Sequence, residues 1–280
     1  MSAEPRCGHV ALAGRPNVGK SSLLNTLVGE HLALVSGKAQ ATRMPVVGIR
    51  TEGPIQYIFH DLPGLLDPAY PLQERMRSLA EAELKQADIV LHLVPANRTD
   101  ESVDLRSLTK RPVLVVYTKG DLVAPERRAE LAQTGIVVSV ITGEGIDHLL
   151  RELGARLPAR EHSFIDDEIG SQPLRFFATE YLREAAFELL QDELPYAFAA
   201  EIQEFRESED PVLVRANLFV ETQSQKQIVI GAGGRMIREI GKHARERLEQ
   251  LIGRPVYLET WVQVLPKWRR DPVQLRRLGF

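Results

Sequence analysis

An eight-residue segment near the N-terminus constrains the fold more than any other part of the sequence. The segment Gly14-Arg15-Pro16-Asn17-Val18-Gly19-Lys20-Ser21 matches the pattern G-x-x-x-x-G-K-[ST]. It follows the apolar run His9 to Ala13 and precedes a helical pattern that ends at Leu27. A strand, a glycine turn and a helix in this order predict a phosphate-binding loop.

The residue types in this loop suit a nucleoside phosphate bound together with magnesium. Glycines let the backbone N–H groups surround the phosphates, and the start of the helix adds a favourable dipole. Lys20 is expected to contact the β- and γ-phosphates, and the Ser21 hydroxyl is expected to ligate Mg²⁺. The alternative is a glycine turn that binds nothing. The predicted nucleotide contacts are Gly14, Arg15, Pro16, Asn17, Val18, Gly19, Lys20, Ser21 and Ser22.

Short apolar runs alternate with helical patterns through the first half of the chain. The runs are rich in Val, Ile and Leu, which indicates a mostly parallel sheet with helices on both faces, an α/β domain. The predicted strands are His9 to Ala13, Gln56 to His60, Ile89 to Val94, Val113 to Tyr117 and Val137 to Val140. The predicted helices are Lys20 to Leu27, Leu72 to Lys85 and Ile146 to Leu157.

This alternation stops at Pro158, and a length of 280 residues favours about two domains. A polar stretch at 158–172 is interpreted as a linker between a first domain, 1–172, and a second, 173–280. The second domain is predicted to be α+β, with a helix, two strands, a glycine cluster, a basic helix and a last strand. The bounds are Leu174 to Leu190, Ala197 to Phe205, Val212 to Val220, Arg235 to Leu251 and Val256 to Leu265.

The segment Asp61 to Gly64, with the sequence D-L-P-G, follows a predicted strand and completes a candidate metal site. Asp61 is expected to hold Mg²⁺ through water, and the Gly64 N–H is expected to meet the γ-phosphate, so that the loop acts as a switch. Thr42 lies in the polar connection before this strand, where it can close over the metal. The predicted metal ligands are Ser21, Thr42 and Asp61, the predicted catalytic residues are Lys20, Thr42 and Gly64, and Leu62 and Pro63 are further nucleotide contacts.

Two later segments predict that the base is guanine. Asp121, at the end of Thr118-Lys119-Gly120-Asp121, can accept two hydrogen bonds from guanine N1–H and N2–H₂, which adenine does not offer. The Lys119 stem is expected to pack over the base, and the Val140 N–H can donate to guanine O6. The predicted base contacts are Thr118, Lys119, Asp121, Ser139 and Val140.

With these motifs, the first domain resembles a Ras-like GTPase domain of the translation-factor class. That family carries Asn at the position of Thr118, so the resemblance implies weaker nucleotide affinity with an unchanged choice of guanine. Ras places a glutamine after the D-x-x-G glycine, whereas this chain has Leu65 and Leu66, which implies slow intrinsic hydrolysis. Asn17 resembles an asparagine that holds K⁺ in some such GTPases, but it can equally shape the loop.

A glycine cluster in the second domain predicts an RNA-binding surface. Ile228 to Ile237 is interpreted as a strand end, a G-x-x-G turn and a helix start, which is the KH arrangement. The net charge changes from −7 over Leu174 to Gln225 to +7 over Lys226 to Arg277, as in proteins that bind polyanions. The alternatives are a plain glycine turn and a solvated helix face. The predicted RNA contacts are Lys226, Ile230, Gly231, Ala232, Gly233, Gly234, Arg235, Arg238, Lys242 and Arg245.

A GTPase domain followed by a KH domain resembles the Era family over the whole chain. The segments that carry the resemblance are Ala39 to Arg43, Asp61 to Gly64, Glu193 to Tyr196, the G-x-x-G turn, Trp268-Arg269 and Leu278 to Phe280. The resemblance implies a type II KH domain and a GTP-hydrolysing, Mg²⁺-dependent switch. It also implies binding to the 3′ end of small-subunit ribosomal RNA, help in maturing the small (30S) ribosomal subunit, and access to RNA that depends on the nucleotide. The chain departs from the family pattern at Ala41, Leu62, Thr118 and Ala232.

Composition limits the setting in which the chain acts. Cys7 is the only cysteine, which excludes an internal disulfide and a cysteine zinc cluster and favours a reducing compartment. No apolar run approaches the roughly 18 residues of a membrane span. We therefore expect a cytoplasmic protein, with peripheral attachment to the inner face of the cell membrane left open. A monomer is a separate expectation. The alternatives are another ribosome-associated GTPase, such as Der, which needs two tandem GTPase domains, and an RNA-binding module with a structural nucleotide.

Overall fold

The chain folds as two units in the computed structural model, which describes residues 4–98 and 103–280. The first unit consists of Met1–Ala33, Thr42–Pro68 and Arg75–Ser171, and the second consists of Leu34–Ala41, Ala69–Glu74 and Gln172–Phe280. Two short segments from the first half of the sequence therefore belong to the second unit.

A six-stranded sheet forms the centre of the first unit, and its strand order is β2-β3-β1-β4-β5-β6. The strands are β1 (Arg6–Ala13), β2 (Val46–Glu52), β3 (Ile55–Asp61), β4 (Ile89–Pro95), β5 (Val113–Thr118) and β6 (Ile136–Val137). The helices of the first half are α1 (Lys20–Val28), α2 (Pro71–Gln86), α3 (Pro125–Leu131) and α4 (Ile146–Arg156). Every pairing is parallel except that of β2 with β3, which confirms the predicted α/β class.

The parallel register brings the ends of four strands to one edge of the sheet. Leu12 of β1 lies beside Asp61 of β3, and Pro95 of β4 lies beside Thr118 of β5. The last four residues of β1, Val10–Ala13, are fully buried, so the strand that leads into the phosphate loop is held firmly in the core. Ligands of open parallel sheets bind beyond the carboxyl ends of the strands, and this edge is therefore where a site is expected.

Three features of the first unit differ from the predicted pattern. The strand predicted at Val137 to Val140 is wrong beyond Val137, because Ser139 N donates to Glu144 O at 2.9 Å and the chain turns from Val140. The antiparallel strand β2 and the helix α3 were not predicted. Gly48 interrupts the apolar pattern of β2, and a Cβ at this position would lie 2.5 Å from Val28 Cγ2, so glycine lets α1 approach the strand.

The polar stretch 158–172 is hydrogen-bonded to strands β2 and β3 of the first unit. Ser163 N and Phe164 N donate to Gln56 Oε1 at 2.8 and 3.0 Å, and Gln56 Nε2 donates to Phe164 O at 2.9 Å. Ile49 N donates to Ile169 O at 2.9 Å. Gln56 itself is fully buried on β3. These bonds make the stretch an extension of the sheet region, and the division between the units falls after Ser171.

Apart from the two short helices α6 and α9, the second unit has the element order helix, strand, strand, helix, helix, strand of a type II KH fold, and the predicted α+β class is confirmed. Its strands are β7 (Ala199–Arg206), β8 (Val212–Val220) and β9 (Val256–Val264). Its helices are α5 (Leu174–Leu189), α6 (Leu194–Ala197), α7 (Gln223–Ile230), α8 (Arg235–Ile252) and α9 (Pro272–Arg277). β8 is central, antiparallel to β7 and parallel to β9.

The segment before the glycine cluster is helical, so the predicted strand end at Ile228 to Ile230 is wrong. The run Ile-Val-Ile has strong β propensity, but it is the last turn of α7. Thr222 begins this helix with a capping box, in which its side chain accepts from Gln225 N and the Gln225 side chain accepts from Thr222 N. Such a cap stabilises a helix start enough to outweigh three β-branched residues at its end.

Replacement of Gln56 by leucine tests how strongly the polar stretch is held. The change removes the three hydrogen bonds to the polar stretch together with the bond from Gln56 Nε2 to Thr51, and it leaves the N–H groups of Ser163 and Phe164 without their acceptor. We expect the free energy of unfolding, measured by urea titration and circular dichroism, to fall by about 3 kcal/mol. Gln133→Leu makes the same change at an exposed position and is the control. Equal effects of the two substitutions would contradict this account.

Candidate functional site

The phosphate loop depends on backbone conformations that few residues adopt. Gly14 and Gly19 have φ angles of 153° and 96°, and a Cβ on Gly14 would lie 2.6 Å from Leu93 O. Asn17 has a φ of 62°, in the left-handed region that asparagine tolerates better than most side chains. The loop thus curls back over the end of β1, and α1 begins directly at Lys20.

Lys20 lies inside this curl. Its Nζ donates to Arg15 O at 3.0 Å and to Gly14 O at 3.4 Å, and only 6% of the residue is exposed. Burial lowers the pKa of the Lys20 ammonium, and the Asp61 carboxylate acts in the opposite direction. A phosphate group in the loop would favour the charged lysine in the same way. The site is therefore ready to bind an anion.

Three oxygen-bearing side chains from three different segments converge next to Lys20. Ser21 Oγ donates to Asp61 Oδ2 at 2.6 Å, Thr42 Oγ1 lies 3.1 Å from Ser21 Oγ, and Thr42 Oγ1 donates to Asp61 Oδ2 at 3.3 Å. Asp61 is fully buried and Thr42 is 8% exposed. Hard oxygen donors in this number suit Mg²⁺, which keeps several waters and takes few protein ligands. The structure brings together the three residues predicted as metal ligands.

The D-L-P-G segment lies directly against the phosphate loop. A Cβ on Gly64 would lie 2.8 Å from Pro16 N and 2.9 Å from Pro16 Cα, and Leu65 N donates to Gly14 O at 3.0 Å. Glycine is therefore required at position 64. Leu62 and Leu65 are buried in a hydrophobic cluster on the sheet, so the residue that follows Gly64 points into the core and not toward a phosphate.

The predicted base site is tied to the phosphate loop by two side chains. Thr118 Oγ1 donates to Val18 O at 2.6 Å, and Lys119 Nζ donates to Asn17 O at 2.9 Å. Thr118 is only 3% exposed. The hydroxyl thus makes a connection between the two loops in the position where the GTPase pattern has an asparagine. This contact has no signal in the sequence, because it joins residues 100 positions apart.

Asp121 is exposed and is oriented by Ser139, whose Oγ donates to Asp121 Oδ1 at 2.6 Å. Val140, the predicted donor to guanine O6, follows Ser139 and is half-buried. Gly120 N donates to Val138 O at 3.0 Å, which joins the two base loops through their backbones. The arrangement offers a carboxylate of fixed direction at the mouth of the site, the group that distinguishes guanine from adenine.

The segment just before Thr42 is bound to α5 within the second unit, which the sequence did not predict. Arg183 is 1% exposed, donates from Nη2 to Ala41 O at 2.6 Å and pairs with Glu180. Glu184, also 1% exposed, accepts from Val35 N at 3.0 Å. In sequence these side chains look like surface ion pairs on a helix. Their position among the buried apolar residues of α5 is the signal that they have buried partners.

The G-x-x-G turn of the second unit joins α7 to α8 through a single 3₁₀ turn, Ala232–Gly234. Gly231, Gly233 and Gly234 have φ angles of 71°, 58° and 77°. A Cβ on Gly231 would lie 2.9 Å from Met236 N, so no side chain fits there. Ala232 and Gly233 are exposed at the tip. The turn therefore presents bare backbone, which another backbone can approach closely.

Four of the predicted RNA contacts form a stripe along α8. Arg235, Arg238, Lys242 and Arg245 are all exposed and are spaced three, four and three residues apart, so they share one face of the helix. Lys226 and Ile230 on α7 are half-buried. Four of the twelve basic residues between Lys226 and Arg277 thus lie on one face of one helix, in a geometry that suits a phosphate backbone.

Comparisons with known proteins identify the two domains. A family model described as 50S ribosome-binding GTPase matches residues 9–119, and one described as KH domain matches residues 193–269. Two crystal structures of Era match nearly the whole chain. One is a tyrosine-to-alanine variant from Aquifex aeolicus bound to GDP and AlF4⁻, and the other is a complex with MgGDPNP and nucleotides 1506–1542 of 16S ribosomal RNA. Each is 35% identical over 98% of this chain and 99% of its own, with a TM-score of 0.91.

Replacement of Thr118 by valine tests the connection between the base loop and the phosphate loop. Val18 O would lose its buried donor, and we expect GDP affinity to fall about tenfold in calorimetric titration. The preference for GDP over ADP should not change, because the damaged contact belongs to the phosphate loop. Thr134→Val, at an exposed threonine, is the control. An unchanged GDP affinity, or a lost preference for guanine, would contradict the role given to Thr118.

Proposed function

This chain belongs to the Era family of GTPases, and on that premise we propose that it is a nucleotide-controlled factor that binds the 3′ end of small-subunit ribosomal RNA. It hydrolyses GTP and uses Mg²⁺. Its proposed task is to assist maturation of the small (30S) ribosomal subunit. The observation that carries the proposal is that one chain has both the cluster of Ser21, Thr42 and Asp61 beside the phosphate loop and a G-x-x-G turn that leads into a basic helix.

At the nucleotide site, the proposed roles follow from the positions of the side chains. Lys20 binds the β- and γ-phosphates, and the Gly64 N–H meets the γ-phosphate from the adjoining loop. Ser21, Thr42 and Asp61 hold the metal, and bound Mg²⁺ supplies charge neutralisation on the phosphate oxygens. We expect slow turnover without a partner, because Leu65 is buried in the hydrophobic cluster and cannot orient water.

Control of RNA binding by the nucleotide is proposed to pass through the segment before Thr42. If Thr42 moves onto the metal and the γ-phosphate, it would displace the preceding segment Leu34–Ala41, to which it is covalently joined. This segment contacts α5 through Arg183 and Glu184. Glu184 also pairs with Arg247 of α8, the helix that carries the basic stripe. Loss of the γ-phosphate would release Thr42 and, through Glu184, change the contact that α5 makes with Arg247 of α8.

The 30S subunit as the target, a monomeric state, a cytoplasmic location and peripheral attachment to the membrane stay predictions. None of the helices within residues 4–98 and 103–280 combines the length and apolar character that a membrane crossing requires. We assign the basic stripe to RNA, because it adjoins a G-x-x-G turn that has no evident use at a lipid surface.

Binding of a labelled RNA from the 3′ end of the small-subunit ribosomal RNA tests this function. We expect selective binding over a scrambled RNA, and tighter binding with a non-hydrolysable GTP analogue than with GDP. Ala232→Asp places a carboxylate at the exposed tip of the G-x-x-G turn and should weaken this binding at least about tenfold, because it repels the RNA backbone. GTP hydrolysis should be unchanged.

The matched control is Ala129→Asp, which adds the same charge at an exposed position of α3 in the first unit. Equal affinity for the target and the scrambled RNA, in both nucleotide states, would leave a GTPase without the proposed ribosomal target. Equal effects of the two aspartates would remove the G-x-x-G turn from the RNA site.

Potassium dependence of hydrolysis tests the second role considered for Asn17. If the amide helps to hold K⁺, the rate should be several-fold higher in potassium than in sodium, and Asn17→Gly should abolish the difference. Glycine adopts the φ of 62° at this position as readily as asparagine does, so the loop keeps its shape while the amide is lost. Identical rates of the unaltered protein in the two salts would mean that Asn17 only shapes the loop.

A further inference from the structure

The exposed aromatic side chains of the described residues are confined to one strand. Tyr257 and Trp261 of β9 are 52% and 48% exposed, and every other phenylalanine, tyrosine and tryptophan is buried or half-buried. Exposed rings of this size are costly to leave in water. Two of them on one strand, in a part of the chain that no catalytic step uses, indicate a binding surface.

Both rings lie on the open face of the three-stranded sheet. Side chains alternate along a strand, so Tyr257 and Trp261 share a face, while Val256 and Val262 are buried on the other. In the register, Tyr257 lies beside Leu213 of β8 and Trp261 lies beside Asn217. Because β9 is an edge strand with one neighbour, each ring is covered on one side only.

The polar groups around the two rings neutralise one another. Between the rings, Arg215 pairs with Glu259 and Glu204, and Glu204 pairs in turn with Arg206. Beyond them, Gln263 Nε2 donates to Asn217 Oδ1 at 2.9 Å. The face therefore offers aromatic planes and satisfied polar groups, and its arginines are already paired with carboxylates. Such a surface suits the flat faces of nucleobases better than a phosphate backbone.

The same strand also borders the proposed RNA site. On the side of β9 that faces α7 and α8, Leu258 and Thr260 are half-buried, next to the helices that flank the G-x-x-G turn. A G-x-x-G turn holds about four nucleotides. A longer RNA leaving this site along β9 needs only to cross the strand edge to reach Trp261. The open face is thus continuous with the RNA surface.

We propose that this open face is a second RNA subsite, in which Tyr257 and Trp261 stack on unpaired bases that flank the segment held at the G-x-x-G turn. The proposal rests on the RNA-binding function given above. Tyr257 and Trp261 are four residues apart, a distance of about 13 Å along a strand. Neighbouring bases in a helix are about 3.4 Å apart, so the rings take bases of an extended strand that are not stacked on each other.

Tryptophan fluorescence reports directly on this subsite. The chain has two tryptophans, and Trp268 is fully buried, with Nε1 donating to Ala197 O at 2.9 Å. Quenching by acrylamide therefore reports mainly on Trp261. In the full-length protein, we expect an unpaired RNA of about fourteen nucleotides to protect Trp261 from acrylamide, and one of about six nucleotides, enough to fill the G-x-x-G site, to leave it accessible. Trp261→Phe should lack the signal.

Affinity measurements separate stacking from charge. Trp261→Ala and Tyr257→Ala should each weaken binding of the longer RNA by roughly tenfold and leave the shorter RNA unaffected. The loss should be equal at low and high salt, because stacking releases no counterions, whereas Arg238→Ala should lower the salt dependence. Trp261→Phe keeps a stacking ring and should restore most of the affinity. Val273→Ala, at an exposed residue of α9, is the control.

Three outcomes would overturn the subsite. The first is a Trp261 that stays equally accessible with the longer RNA. The second is an equal loss of affinity for both lengths, which would place the effect at the G-x-x-G turn. The third is protection of Trp261 only in intact 30S subunits, which would indicate a protein partner. In these cases, normal binding of the shorter RNA would leave the proposed function standing, whereas no RNA binding by the unaltered protein would remove both.

Discussion

The nucleotide site depends on close backbone packing around the phosphate loop, which leaves no room for a side chain at two glycines. Gly14 lies against the carbonyl of Leu93, and Gly64 lies against the backbone of Pro16, both too close for a Cβ. These approaches join three segments that are far apart in sequence, and they fix where Asp61 and Lys20 meet. The loop conformation is therefore a tertiary property, although its sequence pattern is local.

A second consequence concerns the chain between α1 and β2. Thr42 belongs to the metal cluster, and its neighbour Ala41 belongs to the second unit, where Arg183 binds its carbonyl. A buried N–H donor that loses its acceptor costs free energy, so the bond from Arg183 Nη2 holds Ala41 in place against α5. The control of RNA binding proposed here depends on this mechanical link.

The success of sequence reasoning varied with the range of the interaction. The phosphate loop and the parallel strands β1, β3, β4 and β5 were predicted because their patterns are contiguous and their flanks agree. The end of α7 was wrong because three β-branched residues outweighed a capping box that begins eight residues earlier, at Thr222. The bonds of Thr118 to Val18 and of Arg183 to Ala41 had no local signal, since each joins residues at least 100 positions apart.

The second unit has two surfaces that would recognise RNA by different interactions. The stripe on α8 consists of exposed cations, which attract phosphates and lose strength as salt rises. The open face of β9 places two aromatic rings among balanced charges, which suits bases and is insensitive to salt. A backbone site alone binds many sequences, whereas a stacking site requires unpaired bases. With both, the protein would select RNA whose single-stranded region extends beyond the turn, as a free 3′ end does.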